Sequence, residues 1–86
     1  MPVVFVPAIL RPLIPTSRVV VVGTTVGEII DELEARYPGV AAILVADDDI
    51  APGIAVIIND QVSQMGLMEP AAPDAEVHFL PALSGG

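Results

Sequence analysis

Few residues of this chain are equipped for chemistry, and they are unevenly placed. There is no cysteine and a single histidine, His78. Any sulfur chemistry would use sulfur supplied from outside, because Met65 and Met68 are thioethers and poor nucleophiles. His78 has no serine or cysteine arranged to use it and no second metal ligand, so it reads as an interface or surface side chain. Asp47-Asp48-Asp49 lacks the alternate spacing, the glycine and the closing glutamate of a calcium loop. It reads as a solvated loop, and no metal site is expected. The end of the sequence is different. Phe79-Leu80-Pro81-Ala82-Leu83-Ser84-Gly85-Gly86 presents a terminal carboxylate on two residues without a Cβ, so the tail can thread a narrow channel and adopt backbone angles closed to other residues. Ser84 is small enough to follow them, while Pro81 and Leu83 set the direction in which the tail leaves the preceding element. Most chain ends are frayed and functionless. Here an apolar strand pattern runs to within six residues of the end, which favours a working tail.

The elements that must hold this tail are legible. Val3 to Val6 is β-branched and aromatic, bounded by proline, and predicts a strand. Pro12 and Pro15 mark a turn, after which Arg18 to Val22 predicts a second strand closed by Gly23. Strands joined so closely should pair as an antiparallel hairpin. Thr25-Val26-Gly27-Glu28 has the capping-box pattern, and Val26, Ile29, Ile30, Leu33 and Tyr37 follow at helical spacing until Pro38-Gly39. Val40 to Val45 fits either a short helical turn or a strand. Asp47 to Gly53 is polar loop; Ile54 to Ile58 is a buried strand; Asn59-Asp60 is a turn into a short segment at 61–64. Pro70 and Pro73 mark a loop, and Glu76 to Leu80 is the last strand. Alternation is taken to place Val3, Phe5, Val77 and Phe79 toward the helix, and Val4, Val6, His78 and Leu80 on the opposite face.

Eighty-six residues, 53% hydrophobic and 16% charged, suit one small domain over 1–86 with 82–86 as a flexible tail. The expected class is α+β: a mixed sheet with one main helix on one face and the last strand parallel to the first at its centre, the β-grasp topology of ubiquitin. Three arginines, no lysine and eleven acids give a net charge of −8. That field repels nucleic acid and anionic membranes and favours basic partner surfaces. No apolar run reaches the roughly 18 residues of a membrane span, and Pro2 and Pro7 interrupt any signal-like start, so a cytoplasmic protein is expected.

The ending Phe79 to Gly86 resembles the C-terminus of the MoaD/ThiS family of ubiquitin-like sulfur carriers, with its strand, Pro-containing exit and terminal Gly-Gly. Pro73-Asp74-Ala75-Glu76-Val77 resembles the family's acidic turn, with Ala75 departing from its usual Gly-Asp-Glu-Val form. Ile58-Asn59-Asp60 is similar to its Val-Asn-Gly/Asp strand-turn, and Val26 to Pro38 to its helix with the Tyr-Pro-Gly exit. The likeness spans nearly the whole chain and is weakest in the middle loop. Ile9-Leu10-Arg11-Pro12 looks most like the carrier of an actinobacterial cysteine-synthesis pathway. The small subunit of molybdopterin synthase more often has Arg-Glu where this chain has Arg11-Pro12, and the thiamin-pathway carrier has a briefer hairpin; both stay as alternatives.

The resemblance implies that the Gly86 carboxylate is adenylated by a ubiquitin-activating-like adenylyltransferase/sulfurtransferase, which uses ATP and Mg²⁺. A sulfur donor then displaces AMP to leave a thiocarboxylate. The chain itself would bind no cofactor and would be no enzyme: it is a protein-borne sulfur donor, a co-substrate of an acceptor such as a cysteine synthase, the molybdopterin synthase large subunit or a thiazole synthase. Gly86 and Gly85 would carry the chemistry. Pro81, Leu83, Ser84, Leu80, His78, Val6 and Val4 would guide the tail and meet partners. The missing lysines would spare the activated end from capture as an isopeptide, although a plain acidic bias explains them equally well. A non-catalytic ubiquitin-like binding module or a protein modifier is the alternative of another class.

Overall fold

The computed structural model describes residues 1–81. β1 (Val3–Phe5) and β2 (Arg18–Val20) form the expected antiparallel hairpin, with Val4 opposite Val19. The proline-rich link between them turns through a short 3-10 segment, Ala8–Leu10, and buries Leu10 and Ile14. α1 spans Val26–Arg36, capped by the Thr25 hydroxyl, which accepts from the Glu28 N–H at 3.2 Å. The return half of the box is displaced by one residue. The Glu28 carboxylate accepts from the Thr24 N–H at 2.8 Å and the Thr24 hydroxyl at 2.9 Å, which holds its pKa below the ordinary value.

The undecided segment after α1 is both alternatives in turn. α2 (Val40–Leu44) is a short helix, and β3 (Val45–Ala46) pairs antiparallel with β4 (Asp49–Ile50). α2 forms because Glu34 of α1 reaches across the Gly39 reversal and accepts from the N–H groups of Gly39 and Ala41, at 3.1 and 2.9 Å, satisfying donors a helix start leaves free. Asp47 and Asp48 are the two turn residues between β3 and β4, both at positive φ (53° and 63°), as a tight hairpin requires.

β5 (Ile54–Ile58) turns through Asn59 and Asp60, again at positive φ, into β6 (Gln61–Val62). The link to the last strand makes a second 3-10 turn at Gly66–Met68. Gly66 is at φ 58°, and a Cβ there would stand 2.3 Å from Asp49 Oδ1, so a larger residue would have to displace that carboxylate as well as adopt the left-handed conformation. β7 (Glu76–Pro81) lies between β1, to which it is parallel, and β5, to which it is antiparallel. The sheet order is β2-β1-β7-β5-β6, the β-grasp arrangement.

One face of this sheet carries the core. Val4, Val6, Val19, Val56, Val77 and Phe79 are buried with Val26, Ile29, Ile30 and Leu33 of α1 and with Val40 and Leu44 of α2. The parity expected for β1 is therefore reversed: Val4 (0% exposed) and Val6 point into the core, while Val3 and Phe5 are only half-buried. The reason is register. Parallel pairing sets Val4 beside Val77 and Phe5 beside His78, and neighbours in register share a face. Val3 to Val6 is apolar throughout, so no alternation in the sequence could choose between the two parities.

Candidate functional site

The outer sheet face and the end of β7 form the candidate site. Strand register lines up one side chain from each strand: Arg18, Phe5, His78, Ile57 and Val62. Phe5 and His78 stack face to face, with ring centroids 4.3 Å apart and planes 7° off parallel. From the other side, the Arg18 guanidinium carbon lies 5.7 Å from the Phe5 centroid, within cation–π range. A second row, Leu80 beside Ala55, continues the apolar surface toward the end of β7. Leu80 is 45% exposed and Val62 63%. α1 packs on the opposite face, so these apolar groups face solvent, the pattern expected of a protein-docking surface.

Where β7 ends, the strand and the first 3-10 turn enclose a small apolar groove of about 130 Å³. Ile9, Ile54, Leu80 and Pro81 line it. The chain thus leaves the middle strand of the sheet beside both the groove and the stacked row. Among the described residues, no group of three or more His, Cys, Asp or Glu side chains is placed to hold a metal ion, and no helix is long and apolar enough to cross a membrane.

His78 and Leu80 lie on the outer face, and Pro81 closes β7. Val4 and Val6, assigned from sequence to the partner face, are core residues instead, and they can contact a partner only if the core opens. Leu83, Ser84, Gly85 and Gly86 lie outside the described residues. Sequence reasoning missed Phe5, Ile57 and Val62 on the outer face and Ile9 in the groove. The paired register of β7 with β1 and β5 is the signal that places the first two, and it is a tertiary one.

One carboxylate away from this face braces a loop. Glu69 accepts from the Ser63 hydroxyl at 2.8 Å and from the N–H groups of Gln64 and Met65 at 3.2 Å each. The Ser63 bond foremost, with those of Met65 and Gln64, holds its pKa below the ordinary value against the upward push of partial burial.

A sequence model described as the ThiS family matches residues 4–86. No curated protein sequence matches. Among solved structures, the chain is similar to one in the crystal structure of the Amycolatopsis orientalis BexX/CysO complex, at 34% identity, a TM-score of 0.90 and full coverage of both chains. It is also similar to Mycobacterium tuberculosis CysO, described as an antigen, at 29% identity and a TM-score of 0.87 over 96% of this chain and 100% of that one. SAMP1 of Haloferax volcanii is similar at 27% identity and a TM-score of 0.70, over 99% of this chain and 98% of that one.

Proposed function

This chain belongs to the ThiS family, and from that premise we propose that it carries sulfur as a thiocarboxylate on Gly86 for cysteine synthesis. The observation that carries the reading is the site's layout: the middle strand β7 runs to Pro81 with the exposed Leu80 on the outer face. Docking on that face would aim a Gly-Gly tail into a partner's active site. An activating enzyme would join the Gly86 carboxylate to AMP from Mg²⁺-bound ATP, with loss of pyrophosphate. A sulfur donor then attacks the acyl carbon; the C–S bond forms, the C–O bond to phosphate breaks and AMP leaves. The thiocarboxylate is the stronger nucleophile and passes its sulfur to the acceptor enzyme. In this scheme the chain supplies no general base and acts as a co-substrate. Similarity to two CysO chains supports the cysteine pathway over the molybdopterin and thiamin alternatives.

The test is intact-mass measurement after incubation with the activating enzyme, ATP, Mg²⁺ and a sulfide source. The mass should rise by the difference between sulfur and oxygen. Deleting Gly86, or adding a residue after it, should abolish the rise while the circular dichroism spectrum is kept. Equal thiocarboxylate yield from the deletion variant would overturn the reading. Feeding the product to a cysteine synthase, a molybdopterin synthase large subunit and a thiazole synthase then assigns the acceptor. A second reading, attachment to other proteins, is favoured by the likeness to SAMP1, a small archaeal modifier protein.

A further inference from the structure

β2 is the outermost strand of the sheet, and among the described residues no strand pairs with it on its far side. An open edge of this kind is a template for another chain. The ladder with β1 shows which groups the edge offers. The Val6 N–H donates to the Ser17 carbonyl and the Val21 N–H to the Pro2 carbonyl, with Val4 opposite Val19 between them. Bonded and non-bonded pairs alternate along an antiparallel ladder. Val19 therefore turns its N–H and C=O toward β1, while Arg18 and Val20 turn theirs outward.

Both outward carbonyls are engaged by side chains. The Thr16 hydroxyl donates to the Arg18 carbonyl at 3.1 Å, and the Arg36 guanidinium, from the last turn of α1, donates to the Val20 carbonyl. Glu32, one turn back on α1, steadies Arg36 at 3.5 Å. A carbonyl oxygen has two lone pairs, so occupation of one would not by itself bar a second strand. The guanidinium bars it by position and charge. It stands where an incoming backbone N–H would have to come, and covering it with backbone would strip water from a cation. The other edge strand, β6, is only two residues long and offers less to pair with.

The β2 edge is complementary to itself. Two copies related by a twofold axis at Val19 run antiparallel, with Arg18 of each copy opposite Val20 of the other. These are the residues whose backbone groups point outward, so four hydrogen bonds form and two five-stranded sheets become one. Val20, 49% exposed, would cover apolar surface at the seam. We infer that β2 is a self-pairing edge held shut by Arg36 and Thr16, and that this guard keeps each copy of the chain separate. The inference is independent of the chemistry assigned to Gly86.

Arg36→Met keeps the length of the side chain and Thr16→Val its shape, while both lose the donor. The test is sedimentation velocity of the full chain at about 0.5 M salt, where repulsion between copies of charge −8 is screened. The wild type should sediment as a single copy and the double variant as a dimer. Amide hydrogen exchange should show the Arg18 and Val20 N–H groups better protected in the double variant than in the wild type. The register has its own check. Added to the double variant, Val20→Glu sets a carboxylate opposite Arg18 of the other copy and should tighten the dimer severalfold, although it adds negative charge. Val20→Lys sets two cations opposite one another and should loosen the dimer severalfold. If the double variant loses its native circular dichroism, Arg36→Met alone frees one carbonyl and is read in the same way. The inference is overturned if the wild type already dimerises with those two amides protected, or if the natively folded variants stay single. It is equally overturned if Val20→Glu and Val20→Lys shift the dimer alike or in the opposite sense.

Discussion

Phe5 and His78 show how one residue pair can define a docking surface. The stack holds each ring against its neighbour, so a partner meets a preset pair of rings on the outer face, with Leu80 further along β7. Leu80→Glu puts a charge where the partner must exclude water, and because Leu80 is exposed in the free chain the fold should stand. Titration with the activating enzyme or the sulfur acceptor should show weakened binding alongside unchanged circular dichroism; native affinity for both would rule the surface out. Glu69 makes a prediction of a different kind. Folding lowers its pKa from the usual 4.5, so its contribution to stability is present above that value and lost as pH falls through the folded value. Glu69→Gln keeps an acceptor but cannot titrate, and melting temperature should then depend less on pH below about 4.5 than in the wild type. Parallel melting curves for the two proteins across that window would refute it.

At the scale of elements, β7 carries the fold and the site together. It is hydrogen-bonded on both edges, its inner face supplies Val77 and Phe79 to the core, and its outer face supplies His78 and Leu80 to the surface. Phe79 is 1% exposed and Leu33 of α1 is fully buried. Truncating either to Ala should cost about 2–5 kcal/mol in chemical denaturation, a large part of the total for so small a domain. Losses below about 1 kcal/mol at both would mean that the core is not shared between α1 and β7. The strand also ties the tail to global stability. Fraying of β7 would move the docking face and the chain end together, so Phe79→Ala should reduce thiocarboxylate yield wherever it reduces the folded fraction.

For the molecule as a whole, charge and shape act on partner encounter. A net charge of −8 on a chain this small makes a field that draws in basic partner surfaces. The exposed apolar side chains of the outer face, Leu80 and Val62 foremost, then hold what the field has steered. Association rates with the activating enzyme should therefore fall as salt rises from low to physiological concentration, with a much smaller change in dissociation rate. Association indifferent to salt would assign recognition to the apolar face alone.

Local signals in the sequence already determine much of this protein. The Thr25 cap, the spacing of Val26, Ile29, Ile30 and Leu33, and the Pro38-Gly39 stop define α1, because helix signals lie within a few turns of one another. The proline-bounded apolar runs define the hairpin and β7, and the Gly-Gly ending with its strand-turn motifs carries the family resemblance. What needed the tertiary structure is whatever depends on residues far apart in the chain. Glu34 decides that Val40–Leu44 starts as a helix, through bonds to Gly39 and Ala41. The pairing of β1 with β7 decides that Val4 and Val6 are core and Phe5 is surface. In a run where every residue is apolar, burial alone cannot say which side faces in; only the neighbouring strand's register can.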